Sequence, residues 1–325
     1  MNKGLEKVMD LSAAIGKFVE NGCHMCIGGF TVNRNPMAAV YEIIRQRKKN
    51  LHLYAHSNGQ GVDELVGAGC VDKLEIAYGG NGKFASTCIR FKRAVQNGDL
   101  LVEDYSNYQM TLRFQAGAMG LPYLPVRSSL GTDIVNKWGF SREIRTGDPK
   151  IPDDKLIVAD NPFNKWADVE KIVLVPAINP DVTIIHVQKA DSQGTVSIEG
   201  LPMADVEQAK AAQYLIVTCE QLLEPDEMKK QSDMNQIPHF CVDAVVHMPW
   251  GAYPTACYNC YDYDPVYLNN YGKFASDDQL YREYLDKFIH GTPHHEAFLE
   301  LAGMDRLNAV KADPERGYAV NLDRR

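Results

Sequence analysis

The chain has 325 residues, 45% hydrophobic and 23% charged, with a formal net charge of -8: enough apolar mass for one large core or two modest ones, and too much for a disordered chain. The charge balance excludes a nucleic-acid groove, because phosphate binding draws on a clustered Lys/Arg excess; the basic run Arg45–Lys49 closes a predicted helix, where the dipole favours cations. No segment reaches the roughly eighteen continuous apolar residues of a membrane span, and the opening residues lack a signal peptide's apolar core, so a cytoplasmic protein with reduced cysteines is expected.

In chain order, 8–21 places Leu11, Ala14, Ile15, Phe18 and Val19 at helical spacing, and Gly22 stops the helix. Residues 24–29 read as a short buried strand, and 36–48 as a second helix with Asn35 as its cap and Pro36 in its first turn. The pattern then repeats: strand 51–56, polar loop 57–61, helix 62–69, strand 73–80, polar turn, helix 85–98. Strands alternating with helices predict an α/β fold with an open, largely parallel sheet flanked by helices. Such sheets bind ligands at the carboxyl ends of their strands. Three strand-like segments end in glycine-rich turns, at Gly28–Gly29, Ser57–Gly61 and Gly79–Gly82, and these place the site on one edge of the sheet.

Residues 121–171, rich in Pro, Gly and Asp, read as an excursion over the surface of a single domain spanning 1–325. Apolar runs at 171–177, 181–188, 214–220 and 240–249 read as further strands, with a helix over 204–213. Residues 276–303 read as one or two helices available for subunit contacts.

Two Cys-x-x-Cys pairs, Cys23 with Cys26 and Cys257 with Cys260, match the arithmetic of a four-cysteine zinc site. More than 220 residues separate the pairs, though, and positions three apart in a strand face opposite ways. A redox pair would open a helix, whereas the first pair enters a strand. Buried thiols are therefore expected, and no metal. His294 and His295 are adjacent and diverge on a helix, and His186 reads as a core histidine. No Gly-x-Ser-x-Gly elbow and no Gly-x-Gly-x-x-Gly fingerprint occurs. Glycines at a strand end let a ligand approach main-chain N–H groups without a Cβ in the way, which suits an oxyanion in acyl transfer. Taken alone, Gly28-Gly29-Phe30 reads equally well as a structural turn.

Six ordered motifs carry more: "IGGF" at 27–30, "EDYS" at 103–106, "GAMGLPYLPV" at 117–126, "IPDD" with "DNPF" at 151–163, "NPDVTIIHVQKADSQGTV" at 179–196 and "YLIVTCEQL" at 214–222. Together they resemble the class I (3-oxoacid type) CoA-transferases, which have a NagB/RpiA-like fold, and most of all the A subunits of the glutaconate-type branch. The resemblance implies an obligate pairing with a second, B-type subunit of similar fold and an active site between the two, with coenzyme A as co-substrate. A glutamate of that B-type subunit would attack an acyl-CoA, pass through an anhydride to a glutamyl-CoA thioester, and hand CoA to a second carboxylic acid. No nucleophile is then expected in this chain, which lacks the Ser-Glu-Asn-Gly of single-chain relatives.

By the same resemblance Gly28, Gly29 and Phe30 lie against CoA and the reacting carbonyl, with Cys26 standing where the family has a further glycine. Thr31, Ser57, Asn58, Gly79, Gly80, Asn81 and Gly82 fall on the substrate side. The glutaconate branch has a serine beside the asparagine where this chain has Gly82, and its second loop is less polar than Ser57–Gly61; the acid is left open. Two alternatives stand beside this reading. One is a hydrolase of the same fold acting on an acyl-CoA or cyclic diketone-CoA, with Glu103 or Asp104 as base, although 103–106 also reads as a solvated turn. The other is a non-catalytic CoA-binding regulatory subunit.

Overall fold

The computed structural model describes residues 7–163, 170–320 and 322. The first helix, α1 (Leu11–Phe18), is capped by the Asp10 carboxylate, which accepts the Ala13 N–H at 2.9 Å, and buries Leu11, Ala14, Ile15 and Phe18. The chain then alternates through β1 (His24–Ile27), α2 (Met37–Arg45), β2 (Leu51–Asn58), α3 (Gln60–Gly67), β3 (Val71–Gly79), α4 (Ile89–Asn97), β4 (Leu101–Asp104) and α5 (Asn107–Ala118). Gly98 ends α4 in the left-handed conformation (φ 80°), and a capping box of Ser106 and Gln109 starts α5.

Among the boundaries that differ from expectation, two bear on the glycine turns. Asn35 does not cap α2: its Oδ1 accepts the Gly61 N–H at 3.0 Å, and α2 starts after Pro36. The polar loop at 57–61 is reduced to Gly59, because Ser57 and Asn58 end β2 and Gln60 opens α3.

The excursion at 121–171 contains a sheet. β5 (Tyr123–Val126), the short helices α6 (Asp133–Asn136) and α7 (Arg142–Gly147), β6 (Ile157–Asp160) and β7 (Lys171–Pro176) fold so that β5 and β6 flank β7 antiparallel. Val126, Leu156, Val173 and Val175 form its small core. The chain returns through β8 (Val182–Asp191), β9 (Val196–Ser197), α8 (Asp205–Ala211), β10 (Tyr214–Leu223), α9 (Pro225–Lys230), β11 (Asn235–Ile237) and β12 (Ala244–His247).

The expected open, largely parallel sheet is present. Its strands run β12-β10-β8-β1-β2-β3-β4, all parallel, and β9 and β11 add an antiparallel flap along the outer half of β8. β1 is buried throughout and β2 and β8 nearly so, as a sheet covered on both faces requires. Successive strands move outward from β1 to β4 on one side and from β8 to β12 on the other. The winding therefore reverses between β1 and β8.

Helices α10 (Pro265–Ala275), α11 (Asp278–Tyr284), which continues as a π-helical turn over Leu285–His290, α12 (His295–Ala302) and α13 (Met304–Val310) close the chain. They turn Tyr271, Tyr281, Tyr284 and Phe298 into the main core. Among the described residues no helix is long and apolar enough to cross a membrane.

Candidate functional site

Where the winding of a parallel sheet reverses, the connections on either side leave in opposite directions and open a crevice at the carboxyl ends of the strands. Gly28–Thr31 leaves β1 at that point. Gly28 is still in the ladder, donating to the Ile184 carbonyl at 2.9 Å; a Cβ there would lie 2.9 Å from Ile185 Cγ2 and 3.0 Å from Asp205 Oδ2. Gly29 turns the chain at φ 87°, and a Cβ would come within 2.6 Å of the Asn33 and Arg34 carbonyl oxygens. Only glycine fits either position.

The loop's N–H groups point inward. Gly29 donates to Asp205 Oδ1 at 2.9 Å, Phe30 to the Asn33 carbonyl at 2.8 Å, and Thr31, at φ 48°, to the Ser57 carbonyl at 2.9 Å. With Gly28 in the ladder, all four amides from 28 to 31 have acceptors within the chain. The half-buried side chains of Phe30 and Thr31 are what the loop leaves partly open.

Beneath it lies an ion pair that the sequence did not announce. Arg34, 4% exposed, places Nη1 3.0 Å from Asp205 Oδ2 and 3.3 Å from the His186 carbonyl, and Nη2 3.1 Å from the Leu201 carbonyl. Asp205, the first residue of α8, is wholly buried; desolvation raises its pKa above the ordinary carboxylate value although the Arg34 guanidinium and the Gly29 amide oppose it. An arginine between two asparagines and an acid opening a helix were the only signals, and nothing in the sequence joins them across 171 positions.

The other two turns are tied to the first. Asn58 donates from Nδ2 to the Gly28 carbonyl at 3.0 Å and accepts the Val62 N–H at 3.2 Å, so it clamps β1 to the start of α3. Gly80 donates to the Asn58 carbonyl at 3.2 Å. Asn81 is buried, its Nδ2 2.8 Å from Gln60 Oε1, and Gln60 in turn donates to Glu64 Oε1 at 2.8 Å. Ser57 Oγ bonds Asn107 Oδ1, Gly79 accepts the Cys88 N–H, and Gly82 sits exposed at the tip of its turn with φ 57°. Gln60 and His56 were not singled out from the sequence. The His56 ring lies beside Phe30, with centroids 5.7 Å apart.

Glu103 and Asp104 are elsewhere, on β4 at the sheet edge. Glu103 is not part of a solvated turn: it is fully buried, paired with Arg145, and accepts the Gly139 N–H at 2.9 Å. Burial raises its pKa despite that arginine. Asp104 is largely exposed, 3.1 Å from the buried Lys155 ammonium.

Of the cysteines, Cys23 and Cys26 are buried, and desolvation pushes Cys23 up to about 11. Cys257 and Cys260 close a tight turn, with the Cys260 N–H donating to the Cys257 carbonyl at 2.9 Å. Two groups of metal-ligating side chains occur among the described residues, His24 with His52 and Asp148, and His186 with Glu220 and Cys257. Within the second, His186 Nε2 is 2.7 Å from Glu220 and Nδ1 2.8 Å from Thr218 Oγ1, which makes it the satisfied core histidine it was read as. His294 caps α12, while His295 is buried and held down to about 4 by desolvation.

Residues 8–248 match the Coenzyme A transferase family. The chain is 39% identical over 318 residues to the A subunit of glutaconate CoA-transferase from Acidaminococcus fermentans, covering 98% of each. It is 32% identical over 298 residues to the A subunit of 3-oxoadipate CoA-transferase from Pseudomonas knackmussii, covering 90% of this chain and 97% of that one. Its fold matches the crystal structure of the A. fermentans glutaconate enzyme with a TM-score of 0.93, over 97% of this chain and 98% of that chain. The glycine loop at the switch point, the parallel sheet that carries it and these full-length likenesses agree: the chain belongs to the coenzyme A transferase family.

Proposed function

We propose that this chain is the A subunit of a two-subunit enzyme that moves CoA from an acyl-CoA to a carboxylic acid, glutaconate or a related acid, through a glutamyl-CoA intermediate on the B-type partner. Gly28, Gly29 and Phe30 form the floor under the reacting acyl group, and Thr31, Ser57, Asn58, Gly79, Gly80, Asn81 and Gly82 form the wall on the acid's side. The observation that carries this reading is the state of the nearby carboxylates. Asp205 is held by Arg34 and the Gly29 amide, and Glu220 by His186, the Tyr261 hydroxyl at 2.5 Å and the Trp250 N–H at 2.8 Å. A carboxylate nucleophile must be free to attack. Neither of these is, which supports a nucleophile supplied by the partner, as does the naming of both relatives as A subunits. Of the two bases of the hydrolase alternative, Glu103 is paired with Arg145 and Asp104 stands 3.1 Å from the Lys155 ammonium.

The test is acceptor dependence. The chain, co-purified with its partner, is given acetyl-, propionyl- and glutaryl-CoA with and without free acids. Acid-dependent exchange of CoA establishes transfer; steady release of free CoA without any acid overturns it in favour of the hydrolase.

A further inference from the structure

His56 stands at the rim of the glycine loop. Its Nε2 lies 3.1 Å from the Asn107 carbonyl and 2.9 Å from Thr111 Oγ1. A carbonyl oxygen only accepts, so Nε2 carries the ring proton and Nδ1 holds a lone pair. That Nδ1 is sealed from solvent and has no hydrogen-bond partner. A buried polar atom left unpaired is costly, and an orphan beside a candidate site points to a group that arrives later. The second observation is the exhaustion of the loop's own donors: every amide from Gly28 to Thr31 is engaged. An oxyanion or carboxylate settling on this loop needs a donor from a side chain.

We propose that His56 is an anion-binding residue of the transfer site, its Nδ1 taking up one proton as an acyl oxyanion or carboxylate arrives beside Phe30 and donating that proton to it as a hydrogen bond. The proposal rests on the transferase reading. Nothing is oxidised and no bond to carbon is made: one N–H bond forms with a proton from the buffer, and breaks when the anion leaves. In the free chain burial holds the imidazole below the ordinary histidine value, so it is neutral near pH 7 and the proton comes with the ligand.

The surroundings suit a charge that comes and goes. On β2 the neighbours on the same face are Tyr54 and the uncharged Asn58, both buried. α5 contributes the uncharged Asn107 and Thr111, and the loop contributes Phe30. From α8 Asp205, itself paired with Arg34, favours the imidazolium.

The experiment uses the two-subunit complex and the exchange of a labelled acid into its own CoA ester between pH 5.5 and 9, with whichever of acetate, propionate and glutarate exchanges fastest. His56→Gln is the comparison, because its amide can keep the bonds to Asn107 and Thr111 while leaving nothing at Nδ1. The wild-type KM for the acid rises about tenfold per pH unit between the free-state and the ligand-bound pKa. The variant has a raised KM at low pH and a flat profile. A pH-independent wild-type KM, or a variant that keeps the wild-type slope, overturns the proposal. Calorimetric titration of the wild-type complex with the same acid, in buffers of different ionisation enthalpy, decides the matter even if the variant does not fold: close to one proton taken up is expected, and none contradicts it. Failure of all three acids to exchange removes the transferase reading, and the proposal with it, before His56 is reached.

Discussion

At the carboxyl end of β1, the Asp205 carboxylate receives the Arg34 guanidinium and the N–H of Gly29; on β4, the Glu103 carboxylate receives the Arg145 guanidinium and the N–H of Gly139. Both acids are fully buried, both have pKa values raised by desolvation against an arginine, and both fix a glycine. Their places in the sheet differ. Asp205 underpins the crevice between β1 and β8, where the ends of β2 and β3 converge, whereas Glu103 ties the edge strand to α7 and the turn before it. Buried, perturbed acids thus recur at the edge of the sheet and at its switch point alike, and topology tells the two places apart.

Removing each acid separates the two roles most sharply. Asp205→Ala and Glu103→Ala each leave an arginine buried and unpaired, and each loses about 3–5 kcal/mol of stability in denaturant titrations. Only Asp205→Ala also lowers kcat of the folded complex, because the glycine loop loses its anchor. If Glu103→Ala abolished turnover in a folded complex, the comparison would fail and the hydrolase base would return.

Gly29→Ala tests the loop itself. The new Cβ meets two backbone carbonyls at 2.6 Å with φ at 87°, so a loss of roughly 2–3 kcal/mol and of activity is expected. Melting and exchange assays check both.

A third buried acid sharpens the contrast by having hydroxyl and amide donors instead of a guanidinium. Glu64 Oε1 accepts from Gln60 at 2.8 Å, from Tyr284 OH at 2.8 Å and from Tyr41 OH at 3.4 Å, and burial pushes its pKa up from 4.5 to about 8. Between those values the folded chain holds a proton that the unfolded chain has lost, so stability falls as pH rises through that window, by at most about 1.4 kcal/mol per unit. Denaturant midpoints at pH 5, 6, 7 and 8 measure it, and Glu64→Gln flattens the trend. The smallest effect is at Gly82. Its φ is 57° but a Cβ would meet nothing within 4 Å, so Gly82→Ala loses only about 1 kcal/mol, read as a small shift of the denaturant midpoint.

The parallel sheet was legible because buried strands leave predominantly apolar runs, such as those at 51–55 and 182–187, and because glycines mark the ends of several of them. The second turn was misjudged because Ser57, Asn58 and Gln60 are polar; they are buried nonetheless, since their side chains bond neighbouring backbone and amide groups that the turns leave open. Two strands of the small sheet, β5 and β6, were hidden in the excursion: Pro125 argues against a strand in general but fits here on the edge strand β5. The three glycine turns were found from sequence, and their convergence holds through the Thr31–Ser57, Asn58–Gly28 and Gly80–Asn58 bonds. Arg34, Asp205 and His56 were not found, because each gains its meaning from a contact across the fold that no local spacing encodes.

Under the proposed function this chain is half of an active site whose nucleophile lies on its partner. The direct measurement is borohydride reduction of the two-subunit complex charged with acyl-CoA, followed by peptide mass mapping of both chains. One modified glutamate is expected, on the partner, and it disappears when acceptor acid is added first. A modified Asp or Glu on this chain would contradict the proposal.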